Sequence, residues 1–198
     1  MAKLYFKFGA MNSSKTANAL MTKFNYEEKG KKVWLIKPAI DTRDGEAVIK
    51  SRIGLEAVAE VIADDVSILE RCPLNDIDVI ICDECQFLTP AQVDELRLIT
   101  ADYNIPVLCF GLMADFQTHL FPGSKRLVEL SDSISEIKSI CKCGSKAIVN
   151  ARFDGEGNIQ LEGEQVMIGG NESYEGICWK CYHRMVEEAK AKRIQIQK

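Results

Sequence analysis

A short strand pattern, Lys3-Leu4-Tyr5-Phe6-Lys7-Phe8, runs without interruption into Gly9-Ala10-Met11-Asn12-Ser13-Ser14-Lys15-Thr16, and then into a segment where Ala17, Leu20, Met21 and Phe24 keep helical spacing. No other stretch limits the fold so tightly. The loop fits G-x-x-x-x-G-K-[ST] at every defined position except Ser14, which stands where the second glycine belongs. Successive amides at the head of a helix converge on anionic oxygens, and the helix dipole adds to that attraction. Lys15 would offset charge on the terminal phosphates and Thr16 could ligate magnesium. Taken alone, the same eight residues also suit an ordinary polar strand-to-helix turn.

The rest of the chain decides in favour of the phosphate loop. Gly30 stops the first helix, and residues 32–37 read as a second strand. Asp78-Val79-Ile80-Ile81-Cys82-Asp83 is an apolar run of strand length ending in acids, as expected of a central strand buried on both faces. Thr89-Pro90-Ala91-Gln92 combines an N-cap, a proline at the first helical position and a glutamine three residues past the cap. Val93, Leu96, Ile99 and Tyr103 mark the apolar face of that helix, and residues 105–112 form a further buried strand. Strands alternating with helices favour a parallel α/β sheet. Between these elements, residues 55–62 read as helical and lead toward a short strand over residues 66–69. The terminal helix is expected from about Tyr182.

Composition narrows the function. The net charge of -4, with no long Lys/Arg block before the last helix, argues against a surface that coats nucleic acid. No apolar run is long enough to span a bilayer, and the charged start does not resemble a signal peptide, so a cytoplasmic protein with a small partner is expected. Of eight cysteines, Cys72, Cys82, Cys85 and Cys109 are scattered through apolar stretches and read as reduced core residues.

The other four form two close pairs, Cys141-x-Cys143 and Cys178-x-x-Cys181, separated by a glycine-containing excursion. Four thiolates so arranged suit a structural, tetrahedral zinc and leave no open position for catalysis. In a phosphate-loop protein, Asp83 at its strand end belongs beside magnesium, and Glu84 directly after it can accept a proton from an attacking nucleophile. Water and an alcohol remain equal candidates on spacing alone, so ATPase and kinase both stay open.

Residues 9–16, Asp41-Thr42-Arg43, Asp83-Glu84-Cys85-Gln86-Phe87, Gly111-Leu112-Met113-Ala114-Asp115-Phe116, the two cysteine pairs, and Gln165-Val166-Met167-Ile168-Gly169-Gly170-Asn171-Glu172-Ser173-Tyr174 together resemble the zinc-containing thymidine kinase family, bacterial branch. The resemblance covers nearly the whole chain in order. The Ile-Gly-Gly-Asn segment ahead of a Cys-x-x-Cys is far more specific than a phosphate loop and favours kinase over ATPase. It implies a RecA-like P-loop α/β domain with a parallel central sheet over residues 1–138, and a small zinc-binding, β-rich lasso domain with the C-terminal helix over residues 139–198. It further implies transfer of the γ-phosphate of ATP to the 5′-hydroxyl of thymidine, and of deoxyuridine. Magnesium, structural zinc and a homotetramer belong to the same expectation, with no nucleic acid or membrane partner.

By position, Glu84 resembles the general base, while Lys15 and Arg43 resemble the residues that offset phosphate charge. Asp41 resembles a neighbour of the metal. The nucleotide site would comprise Gly9, Ala10, Met11, Asn12, Ser13, Ser14, Lys15, Thr16, Asp41, Asp83, Glu84, Cys85 and Gln86. The nucleoside would meet Met11, Phe87, Leu112, Phe116, Gln165, Val166, Met167, Ile168, Gly169 and Tyr174, with main-chain groups of the lasso pairing with the base. Asn150 is assigned no contact, and His119 and His183 no catalytic role. The rival is an ATPase whose zinc ribbon grips nucleic acid; it needs the same loop, acids and cysteines, but predicts a basic stripe.

Overall fold

The computed structural model describes residues 1–40, 47–165 and 173–196. Asp41, Arg43, Val166, Met167, Ile168 and Gly169 lie outside them. Six strands form one parallel sheet: β1 (Leu4–Phe8), β2 (Val33–Pro38), β5 (Glu60–Ile62), β6 (Val79–Cys82), β7 (Val107–Gly111) and β8 (Ser133–Glu136), in the order β5-β2-β6-β7-β1-β8. The strand carrying the phosphate loop and the strand ending in Asp83 are therefore separated by β7 alone. Their C-terminal ends point the same way.

Period-two burial explains why the apolar run at β6 must be central. Val79 and Ile81 pack with Ala19 and Leu20 of α1 (Lys15–Glu27), whereas Ile80 and Cys82 pack with Val93, Leu96 and Ile99 of α3 (Pro90–Asp102) and Leu127 of α4 (Pro122–Leu130). All four β6 residues are buried, and each large apolar side chain so placed contributes about 2 kcal/mol. Helix α3 opens with the expected capping box: Gln92 N donates to Thr89 Oγ1 at 3.2 Å, and Thr89 N donates to Gln92 Oε1 at 3.1 Å. Gln92 Nε2 also reaches the carbonyls of Ala63 and Val66 at 2.8 and 3.0 Å, which holds the preceding turn.

Residues 55–69 differ from the sequence expectation. Glu56–Val58 is a strand, β4, paired antiparallel with β3 (Val48–Lys50), and Glu60–Ile62 joins the edge of the main sheet; Ile68–Arg71 is a short helix, α2. The alternation Glu56, Ala57, Val58, Ala59, Glu60, Val61, Ile62 suits a half-buried ribbon better than a helix, and edge pairing to β2 captures it. Ser67 caps α2 by accepting from Glu70 N, a helix start rather than a strand. Helix α4 and strand β8 have no counterpart in the sequence reading.

The C-terminal part is built on an antiparallel pair, β9 (Val149–Arg152) and β10 (Tyr174–Ile177), and on α5 (Trp179–Ile196). Its core joins Cys141, Val149, Ala151, Ile159, Ile177 and Cys178 to Tyr182, Met185 and Val186 of α5. The helix begins at Trp179, three residues ahead of expectation, so Cys181 sits inside its first turn. No helix among the described residues is long and apolar enough to cross a membrane.

Candidate functional site

The phosphate loop is closed on itself. Gly9 N donates to Gly111 O at 3.3 Å, Ser13 N donates to Ala10 O at 3.2 Å, and Lys15 Nζ folds back to Ala10 O at 2.9 Å. A Cβ at Gly9 would lie 2.3 Å from Ser13 Oγ and 2.5 Å from Ile137 O, so the loop's first residue has to be glycine. Asn12 and Ser14 take left-handed backbone angles, with φ of 65° and 61°. Ser14 thus occupies the conformation that explains the motif's usual glycine, at a cost of about 1–2 kcal/mol.

Lys15, Thr16, Asp83 and Glu84 line one cleft, together with Met11 and the β3 end from Ile49 to Ile53. Lys50 and Arg52, which the sequence reading did not single out, add two cations to its rim. The Thr16 hydroxyl donates to the Asp83 carboxylate. Asp83 is 3% exposed, and burial, reinforced by the Glu84 charge, pushes its carboxyl up to about 7 against the pull of Thr16, the Glu84 amide and Lys15. A carboxyl held so near its ionised form gives up its proton readily to an incoming cation.

Glu84 itself is left-handed, with φ of 51°, which turns its side chain out of the strand line. Gln86 Nε2 donates to Glu84 Oε2 at 2.5 Å while Gln86 Oε1 accepts from Leu112 N at 3.0 Å, so the carboxylate is held by a bridge to the end of β7. Gly111 makes room for that bridge: a Cβ there would lie 2.5 Å from Gln86 Oε1. Gln86 and Cys85 are both buried, 1% and 0% exposed, and stand behind the cleft wall rather than in it. Gln86 thus supports Glu84, and Cys85 belongs to the buried core cluster.

Phe87 meets Phe121 edge-on at 5.7 Å, and Leu112 and Phe116 are buried in the segment after β7. Asp115 ties that segment together: its carboxylate accepts from Gln117 N, His119 N and Gln165 Nε2 at 2.8, 2.9 and 2.8 Å. Gln165 is thereby tied to the segment that carries Phe116, and Tyr174 lies on β10 across from Arg152.

Two residues that sequence reasoning missed join the cysteine-bearing C-terminal part to the phosphate loop. Asn150 accepts from Met11 N at 2.7 Å and donates to Ala114 O at 2.6 Å. Gly176 packs so closely that a Cβ would lie 2.5 Å from Met11 O. Nothing local in the sequence marks these contacts: all four residues of Val149–Arg152 are buried although two are strongly polar, which only the packing shows.

The sulfurs of Cys141, Cys143, Cys178 and Cys181 lie within 4.8 Å of one another, with Cys143 and Cys178 at 3.5 Å. A tetrahedral zinc with bonds of about 2.3 Å requires sulfurs about 3.8 Å apart, which this cluster brackets. Ser145 pulls the Cys143 thiol down to about 6 through its amide and hydroxyl, while neighbouring sulfurs push Cys181 up to about 12. The cluster could hold a metal ion, whose charge would offset that of the sulfurs, and the first turn of α5 favours their ionised form through its dipole.

The thymidine kinase family model matches residues 2–182. The chain belongs to the thymidine kinase family. A thymidine kinase of Zymomonas mobilis is 47% identical over 182 residues, covering 90% of this chain and 94% of that protein. The thymidine kinase of Shewanella oneidensis is 43% identical over 190 residues, covering 94% and 99%, and that of Streptococcus agalactiae is 46% identical over 186 residues, covering 92% and 97%. The family match thus extends from the phosphate loop through all four cysteines of the cluster and ends within the first turn of α5.

Proposed function

We propose that this chain transfers the γ-phosphate of ATP to the 5′-hydroxyl of thymidine, and of deoxyuridine, giving the 5′-monophosphate. The observation that carries the reading is one cleft shared by Lys15, Thr16, Asp83 and Glu84 in a chain of the thymidine kinase family. In this reading, amides of residues 9–16 and Lys15 hold the triphosphate, with Arg43 offsetting charge on the transferring group. Glu84, steadied by Gln86, takes the proton of the 5′-hydroxyl as the attack proceeds. Thr16 and Asp83, with Asp41, would hold magnesium, which would supply positive charge to offset that of the phosphates. Met11, Phe87, Leu112, Phe116, Gln165, residues 166–169 and Tyr174 would enclose the nucleoside.

Residues 1–138 act as the nucleotide-binding domain and 139–198 as the zinc-binding lasso domain, with zinc purely structural. The working form is a homotetramer in the cytoplasm, which light scattering on the purified protein tests for assembly. The deciding assay incubates purified protein with magnesium, ATP and a panel of nucleosides and identifies the monophosphate formed. Formation of thymidine monophosphate is expected. ATP hydrolysis stimulated by DNA, with no nucleoside monophosphate, would overturn the reading in favour of a nucleic-acid ATPase.

A further inference from the structure

The guanidinium of Arg152 has a setting that neither phosphate chemistry nor zinc binding explains. Arg152 is 3% exposed, and its guanidinium carbon lies 3.6 Å from the centroid of the Phe116 ring. Its Nη1 donates to Glu164 O at 2.8 Å and its Nη2 to Glu162 O at 2.9 Å. Gly163, between those carbonyls, has φ of 129°, and a Cβ there would lie 2.3 Å from Nη2. The chain thus turns at a glycine to wrap the guanidinium.

Further bonds converge on the same unit. Gln117 Nε2 donates to Leu161 O at 3.1 Å, and the Tyr182 hydroxyl donates to Phe116 O at 3.2 Å. One guanidinium nitrogen makes no bond: Arg152 Nε is buried and meets no acceptor among the described residues. An unpaired buried donor lowers stability, a cost set against the two carbonyl bonds and the ring contact that the same guanidinium makes. What the arginine supplies, and an apolar residue does not, is a planar cation that lies flat on a ring while its fork fixes two carbonyls.

Resting on the nucleoside reading above, we infer that Arg152 is a positioning residue for nucleoside binding. Its guanidinium locks Phe116 and the 162–164 backbone into one body, so the wall that receives the base is ordered before the nucleoside arrives. Preorganisation of this kind lowers the entropy lost on binding. The partners of its guanidinium among the described residues are Phe116, Glu162 and Glu164, none of them in residues 9–16 or at Asp83 and Glu84, so ATP affinity should not depend on it.

The test compares wild type, Arg152→Met and Arg152→Lys by KM for thymidine and for ATP, by kcat, and by zinc content. Arg152→Met should raise the thymidine KM about tenfold or more, with the ATP KM and kcat within about twofold of wild type. Arg152→Lys should fall between, since an ammonium keeps the charge but cannot span both carbonyls while flat on the ring. An unchanged thymidine KM, or KM values for both substrates rising in parallel, overturns the proposal. Should Arg152→Met fail to fold and retain zinc, Arg152→Lys carries the test with the same split. If wild type phosphorylates no thymidine, the nucleoside reading falls separately. Hydrogen exchange then judges Arg152 on its own: the variants must quicken exchange across residues 112–121 and 161–165 but not 9–16, and equal exchange rejects the role.

Discussion

Replacing Asp83 with asparagine should make the protein more tolerant of alkaline conditions, and the size of the effect follows from the site. The Asp83 carboxyl is 3% exposed and titrates at about 7 instead of its ordinary 3.8, because burial and then the Glu84 charge outweigh Thr16 and Lys15. The folded protein therefore keeps a proton that the unfolded chain has lost across the window between those two values. Stability contributed by that proton is complete below the lower value and is gone once pH passes the higher one. A separation of about 3 units, at about 1.4 kcal/mol each, weakens the wild-type fold by about 4 kcal/mol between pH 4 and pH 8.

The substituted amide has no acidic proton to lose and still offers an oxygen to the Thr16 hydroxyl, so the variant is spared that loss. Denaturant unfolding of wild type and Asp83→Asn in magnesium-free buffer at about pH 5.5 and about pH 8 checks this. The stability difference should move in favour of the variant by about 2 kcal/mol between the two conditions, since part of the window lies below the lower of them. A difference independent of pH, or one that favours wild type as pH rises, refutes the argument that Asp83 is a strained buried carboxylate.

Glu84→Gln should lower turnover about 100-fold or more while leaving the thymidine KM near its original value, as steady-state kinetics would reveal; near-normal turnover removes Glu84 from the base role. Cys181→Ser should abolish stoichiometric zinc and loosen residues 141–192, seen by metal analysis together with hydrogen exchange. Asn150→Ala should lower stability by about 2–4 kcal/mol in thermal or denaturant unfolding, because it strips partners from both Met11 N and Ala114 O.

Much of the molecule was legible in local pattern. The run from Gly9 to Thr16, the apolar residues ahead of Asp83, the Thr89-to-Gln92 cap and the paired cysteines each use interactions among near neighbours, so residue type and spacing carry the information. Segment 55–69 was misread because short apolar runs suit helix and strand alike, and only pairing with β2 and β3 decides between them.

What tertiary structure alone decided is which polar groups meet across long separations. Gln86 can support Glu84 because the β7 end comes beside it and takes the other end of its amide. Asn150 reaches the phosphate loop 139 residues away, and Arg152 reaches the Phe116 ring, through the docking of β9 and β10 against the first lobe. Sequence by itself determines local backbone preference and the order of burial along a strand. The partner of a buried polar group depends on how separate elements pack, and no periodicity records it.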